Sequence, residues 1–545
     1  MLGPEKVRDL DRPIRRSLEQ LVPAGNFYRH LDAKLDLSFV RAWVEDRYAA
    51  NGRPAIDPVV FFKLQLILFF EGLRSERQLI ELASLNLAHR WYLGYHLDEE
   101  LPDHSSLTRI RDRLGRATFQ RFFERVVELC QDAGLVWGKE LFFDATRVRA
   151  NADIDSLVPR LGDVVGDHIE QLFPRPEPSP AAEPRPQDPT DPATPEPAEE
   201  PPANIIALPV AVSAPTDDAP WDLLATCRLD PDRPPEGGYL RVSAQRVSTT
   251  DPDAMPVHPD GSGKAVLGYH DHYVVDGGKA RIILQALVTP ADVMENQAML
   301  PLLRRVQFHW QLDPTRVVAD STYGTVENVR ALEEAGIRAA LPLRDFHDRE
   351  SAFYRADRFT YDAEHDQYRC PQDQPLSRFS RMTEREIVLY RAEAETCNAC
   401  PLKAACTPGE SGRTVSRSWH EEVLEQVRAY HETPAYAKAM RKRQVWPEPL
   451  FAEAKQWHGL RKFRLRGLEK VNMEGLLIAA GQNLGRWLSA TGWGRRDAPS
   501  GSLTAPVWPS SALLLVFRAR VAVKSLRVAT TRHLCYRKAT QATDH

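Results

Sequence analysis

Over roughly the first 130 residues the apolar positions recur at helical spacing. They do so through 35–44, then through Phe62, Leu66 and Phe70 in a helix opened by Pro58, then through 76–87. An all-helical domain over residues 1–130 is predicted. The pattern changes at Leu141-Phe142-Phe143-Asp144-Ala145-Thr146-Arg147-Val148-Arg149-Ala150, where bulky and β-branched residues read as a buried strand with an acid near its middle. Two β-rich runs, 268–276 and 281–289, flank Gly277-Gly278 and predict a hairpin. A helix through Gln297, Leu300, Leu303 and Val306 follows. Next, the short apolar run Arg316-Val317-Val318-Ala319 ends on Asp320 and breaks at Gly324. A helix from Val326 and a strand over 337–342 complete the series.

This order, antiparallel strands leading into parallel ones with helices between, predicts an α/β fold with a ribonuclease-H-like mixed sheet. Such a topology sets the first and fourth strands side by side, which brings Asp144 and Asp320 together. Alone, Asp144 has two readings: a salt bridge with Arg147 or Arg149, or a metal ligand on a rigid sheet. Asp320 favours the second, because it stands at the C-terminal end of its strand, where α/β sheets build sites.

Adjacent carboxylates repel, and burying both ionised is tolerable if a divalent cation holds them. A third acid is then expected. Glu448 is the candidate, on a helix that carries Lys455 about two turns later on the same side. Glu453 is the rival, but it lies off that face. Three acids from separate elements can hold a pair of Mg²⁺ or Mn²⁺ ions, one activating a water or a 3′-hydroxyl and one stabilising the leaving oxygen of an in-line phosphoryl transfer.

With 545 residues and 43% hydrophobic content, the chain can bury more than one core. The apolar run 59–73 carries Lys63, Gln65 and Glu71, and Leu513-Leu514-Leu515-Val516-Phe517 stops at Arg518, so neither suits a bilayer span. The polar start, Met1 to Lys6, lacks the apolar stretch of a signal peptide, and a cytoplasmic location is expected. The formal net charge of -4 averages unlike segments. Acid is concentrated in a Pro-rich spacer expected to be disordered over 174–235, whereas 441–470 is strongly basic, with Lys455, Arg461 and Arg464 among its cations. Arg109, Arg111 and Arg113 follow Ser105-Ser106 in a segment that resembles the second helix of a helix-turn-helix; an Arg-bearing helix is also often no more than a solvated face.

Four of the seven cysteines, Cys370, Cys397, Cys400 and Cys406, gather between the last core strand and Glu448. The Cys397-x-x-Cys400 spacing suits one structural Zn²⁺ completed by Cys370 and Cys406; the alternative is four reduced thiols. A small Pro-rich insertion with little core needs such a staple. His270 and His272 share a strand face and read as sheet-surface residues, with no third ligand nearby in sequence.

These residues carry a resemblance. The stretch Ile56-Asp57-Pro58-Val59 through Arg77, the Asp144 strand, Gly268-Tyr269 with the hairpin and Thr289-Pro290-Ala291, Ala319-Asp320-Ser321-Thr322-Tyr323-Gly324, Glu448-Pro449-Leu450-Phe451 to Lys455, and Leu465-Arg466-Gly467-Leu468 together resemble a DDE-type transposase of a bacterial insertion sequence. The resemblance covers roughly residues 20–490 apart from the spacer. It implies that Asp144, Asp320 and Glu448 form a catalytic triad and that Lys455 touches the transposon end. It also implies a Mg²⁺-dependent enzyme that binds terminal inverted repeats, cuts there and joins 3′-hydroxyls to target DNA. Because two ends must be cut together, a homodimer is expected. The family's glutamate helix often carries a Tyr and an Arg ahead of the Glu; those offsets hold Arg441 and Gln444 here, with Arg443 one residue away, and Ala452 replaces a usual Gly.

The expected organisation is a helical DNA-binding domain (1–130), a catalytic domain in two pieces (138–345 and 432–492), the spacer within it, a cysteine-rich insertion (346–431) and a basic tail (495–545). The tail either adds nonspecific DNA affinity or is a read-through end without an evolved role.

Overall fold

Side-chain caps set where the N-terminal helices begin. Asp57 accepts the Val59 N–H at 2.9 Å and, with Pro58 in the first turn, starts Pro58–Phe70. Ser75 caps Glu76–Leu85. Asp103 caps His104–Asp132, accepting the Ser105 N–H at 2.8 Å. This long helix breaks at Gly115 (φ 64°), where the Arg47 side chain donates to the carbonyls of Leu114 and, at 3.4 Å, Arg113. The helix expected over 35–44 is confined to Phe39–Val44.

The computed structural model describes residues 15–48, 56–159, 246–258, 264–343 and 353–493. The spacer expected over 174–235 and the tail from 495 lie outside the described residues. No helix among the described residues is long and apolar enough to cross a membrane.

Past the helices come β1 (Glu140–Arg149), β2 (Leu157–Pro159), β3 (Arg246–Ser248), β4 (Met255–Val257), β5 (Val266–Asp276), β6 (Ile283–Pro290), β7 (Arg316–Val318) and β8 (Arg338–Ala340). β2 pairs with β3, so the chain leaves toward 160–245 and returns at one place. The main sheet runs β4-β5-β1-β7-β8, with β6 also on β5. β1 is antiparallel to β5 and parallel to β7, and β7 is parallel to β8. The chain is mixed α/β with a helical N-terminal region, and the predicted ribonuclease-H-like order holds, with the Asp144 strand β1 beside β7, the strand that leads to Asp320.

The hairpin between β5 and β6 requires its glycines. A Cβ on Gly278 would lie 2.5 Å from Asp276 Oδ2, and one on Gly277 would lie 2.7 Å from the Glu140 carbonyl. Asp276 accepts the N–H groups of Trp137, Gly138 and Gly278 at 3.0, 2.7 and 2.8 Å, tying the turn to the start of β1. β6 offers backbone groups that two asparagines of the Leu468–Ala490 helix satisfy. Asn472 bonds the Val288 N–H and C=O, both at 2.8 Å, and Asn483 does the same for Ile283 at 2.9 and 2.8 Å. One apolar core includes Phe61 and Phe122 of the helical region, Phe142 and Val317 of the sheet, and Leu476 of this last helix.

The cysteine-rich stretch forms a second, five-stranded antiparallel sheet: β9 (Thr360–Asp362), β10 (Gln367–Arg369), β11 (Pro375–Met382), β12 (Ile387–Ala392) and β13 (Thr414–Ser418), in consecutive order. Its separate core is small, centred on Leu376, Tyr390 and Val415.

Candidate active site

β1 carries Asp144 inside the sheet, and β7 stops just short of Asp320. The parallel register pairs Phe142 with Val318; carried two residues further, it sets Asp144 level with Asp320. Both carboxylates face one guanidinium: Arg443 Nη2 lies 3.4 Å from Asp144 Oδ1 and 3.4 Å from Asp320 Oδ2. Asp144 also accepts the Ala145 N–H at 3.1 Å, and Asp320 the Thr322 N–H at 2.8 Å. The turn after Asp320 closes tightly, since a Cβ on Gly324 would lie 1.9 Å from the Pro342 carbonyl oxygen. Of the two readings for Asp144, neither nearby Arg is its partner: Arg147 donates to the His258 carbonyl at 2.9 Å, and Arg149 is exposed.

Arg443 arrives on the helix Pro434–Val445, whose end is fixed to the sheet. Lys442 pairs with buried Glu140 and donates to the Gly277 carbonyl at 2.8 Å. Trp446 Nε1 donates to the Asp276 carbonyl at 2.9 Å, and Arg281 to that of Val445 at 3.2 Å. The next helix, Glu448–Trp457, buries Leu450, Phe451 and Ala454, with Phe451 stacked 4.4 Å from Tyr273, the β5 residue opposite Asp144. Glu448 is its first residue and is exposed; no hydrogen bond or ion pair ties it to the aspartates among the described residues. Glu453 serves the fold. Burial alone would raise its pKa, but His458 and Arg486, the latter at 3.0 Å, hold it down to about 2.

The acid that does approach the pair is Glu295, in the turn Glu295–Ala298 after β6. With Thr146, Arg147, His270, Asp320 and Lys455 it lines an open cleft of about 510 Å³. Burial pushes the Asp144 carboxyl up to about 7; Arg443 and the Ala145 N–H oppose this, while Asp320 and Glu295 add to it. Glu295 is raised too, by burial first and then by Asp320, against Arg147 and Arg443. No three acidic, His or Cys side chains among the described residues stand close enough to hold a metal ion as placed. The donors themselves, hard carboxylate oxygens in excess over the cation between them, suit Mg²⁺ or Mn²⁺.

The basic residues divide. Arg109 and Arg113 are exposed, with Arg113 stacked 4.9 Å over Tyr48. Arg111 is 2% exposed and pinned on Glu76, so the expectation that it contacts DNA is corrected. The Arg464 side chain is half-buried and paired: its Nε meets Glu474 at 3.2 Å and its Nη1 lies 3.7 Å from Glu76. Arg461 is exposed, while its carbonyl accepts the Arg149 N–H at 3.3 Å beside the end of β1. Lys455 reaches the cleft and lies within electrostatic reach of fully buried Asp271.

His270 and His272, expected at the sheet surface, are buried. His270 Nδ1 meets the carbonyl of Val293, just beyond β6, at 3.0 Å, and His272 Nε2 meets the hydroxyl of Thr289, on β6 itself, at 2.9 Å. Burial lowers both imidazole pKa values, that of His272 to about 3. Cys370, Cys397, Cys400 and Cys406 line a single pocket of the second sheet.

Sequence reasoning did not find Glu295 as a site residue, because nothing in its local pattern separates it from an ordinary first-turn acid. Arg443 carried a signal, its position one residue from a family offset.

Comparison with known families matches residues 16–113 to a transposase domain of the DUF772 type and residues 369–488 to a transposase DDE domain. The second match contains Glu448, Lys455 and the four cysteines; neither contains Asp144 or Asp320, whose case rests on the strand geometry. No curated protein and no solved structure matches the chain. Two transposase matches bracket the strands that carry the paired aspartates, and together they support a DDE-type transposase of an insertion sequence.

Proposed function

We propose that this chain binds the terminal inverted repeats of its element and catalyses metal-dependent DNA strand cleavage and strand transfer, with Asp144, Asp320 and Glu448 as the metal-holding acids. The supporting observation is the parallel pairing of β1 with β7, which levels Asp144 with Asp320 at a strand end beside an open cleft. A bound Mg²⁺ or Mn²⁺ supplies Lewis-acid activation of the attacking hydroxyl and stabilises the leaving oxygen. Without the metal, Arg443 balances the two carboxylates. Glu448 follows the Arg443 helix by the short link Trp446-Pro447, at the start of the helix that carries Lys455 into the cleft. Lys455, Arg461, Arg109 and Arg113 take phosphates. The acting unit is a homodimer on paired ends, working on DNA in the cytoplasm, at the nucleoid.

A second reading, a lapsed transposase that survives as a DNA-binding protein or repressor, is favoured by one observation: Glu448 stands apart from the pair. One experiment separates the two. A duplex carrying the element's end is incubated with protein, Mg²⁺ and target DNA. The proposal expects cleaved and joined product from the native chain and neither from Asp320→Asn, which still retards the duplex. Binding without cutting supports the lapsed reading, and cutting without joining indicates a hydrolytic nuclease. Wild-type cleavage by Asp320→Asn sinks the acid assignment.

A further inference from the structure

The second sheet has little to hold it together. Its apolar core is separate from the main one and small, and a unit of that kind ordinarily needs a staple. Its four cysteines are free thiols that line one enclosed cavity of about 120 Å³. They come from separate pieces of chain. Cys370 follows β10, Cys397 sits in the short helix Ala394–Asn398, Cys400 lies in the turn beyond it, and Cys406 ends Lys403–Cys406. All four are within electrostatic reach around Cys406.

We propose that Cys370, Cys397, Cys400 and Cys406 bind one structural Zn²⁺ that fixes the turns of the second sheet. Backbone donors are already aimed at the sulfurs. The Gln372 N–H points at Cys370 Sγ (3.4 Å) from two residues beyond it, and the Arg413 N–H at Cys397 Sγ (3.3 Å) from the strand side. Donors of this kind orient thiolate ligands and lower their charge, the outer-shell role found around structural zinc. The Cys400 N–H also bonds the Cys397 carbonyl at 3.3 Å, closing a tight turn that turns both thiols of the Cys-x-x-Cys pair toward the cavity. As placed, no three of the sulfurs stand at ligand spacing, so binding draws them inward onto one point. The four thiols give their protons to solvent as the ion binds, and no oxidant is involved.

The test uses the full chain, purified without added metal. Elemental analysis should find one zinc per chain, and exchange for Co²⁺ should give the intense sulfur-to-metal bands of a tetrahedral thiolate site. Cys397→Ser should lose the metal. Asp320→Asn should keep it, which separates this site from the proposed catalytic acids. If Cys397→Ser does not fold, the zinc count and the Co²⁺ spectrum of the native chain decide the matter. A folded native chain without zinc, four thiols that react freely in the folded protein, two disulfides by mass, or zinc retained in Cys397→Ser would each overturn the proposal.

Discussion

Two clusters of arginines and acids in this molecule look alike in sequence and do opposite work. In one, Arg111 and Arg464 meet Glu76 and Glu474, cations matched to anions and packed between the helical region and the segment before the last helix. In the other, Asp144, Asp320 and Glu295 gather around Arg443, with Arg147 at the edge, beside an open cleft. The first is closed and satisfied. The second keeps acid in excess and access to solvent, which a closed structural network has no reason to retain. Exposure and local charge balance, neither of them readable from composition, separate a cluster that is closed and matched from one that is open and acid-rich.

Breaking the closed cluster should have the largest effect. Arg111→Ala removes the main partner of Glu76, which at 12% side-chain exposure is left with Arg464 alone, 3.7 Å away. Such losses cost about 3–5 kcal/mol. Chemical denaturation should show this, while the salt dependence of DNA binding stays as in the native chain. Unchanged stability with weakened DNA binding would mean that Arg111 leaves its pocket to reach DNA, and the contrast between the clusters would fail.

The open cluster should behave in the reverse sense when a charge is removed. Asp144 has a folded pKa of about 7, above its ordinary 3.8. Proton uptake therefore favours the folded state: the contribution is complete below about pH 4 and is lost as pH rises through 7. Asp144→Asn should stabilise the metal-free protein at pH 8 by at most about 4 kcal/mol, seen as a higher melting temperature, and should lose that advantage near pH 4. Melts in a chelator across the pH range check it. A variant less stable than the native chain at pH 8 would show the carboxylate to be structural.

How much of this was legible follows from what each element needed. β1, the hairpin and β7 announce themselves through dense apolar runs and a double glycine, so the fold and the Asp144–Asp320 pair were readable. The second sheet was not: β11 buries only Leu376 along Pro375–Met382, leaving no alternation to detect. Arg111 was misread although a signal existed. Leu107 and Leu114, four before and three after it, put Arg111 on the apolar face of its helix. Glu295 meets Asp320 only through tertiary folding, and no local pattern could have paired them.

A smaller effect concerns the cation between the aspartates. If Arg443 occupies the place of a metal ion, Arg443→Gln should bind Mn²⁺ more tightly in the absence of DNA. Roughly tenfold is expected for removing one positive charge a few Å away in a partly screened site. Calorimetric titration measures it, with Asp144→Asn as the control that loses binding. Equal or weaker affinity in Arg443→Gln would make the guanidinium a support for the acids and not a competitor.

The smallest effect falls on Lys455, and it asks to which side of the comparison this residue belongs. Lys455 lines the cleft with Asp320 and Glu295, on the helix that Glu448 opens, which suits a phosphate contact. It also lies near Asp271, a fully buried acid whose pKa burial raises well above the ordinary value against the pull of Lys455, so it could instead belong to the fold. A phosphate contact carries a specific signature: one cation fewer at the interface lowers the slope of log affinity against log salt by about 0.9. Lys455→Ala should therefore flatten the salt dependence of binding to an end-containing duplex by that amount, with little change in melting temperature. If the slope is kept and stability changes, Lys455 compensates Asp271 and belongs with Arg111 among the residues that hold the fold.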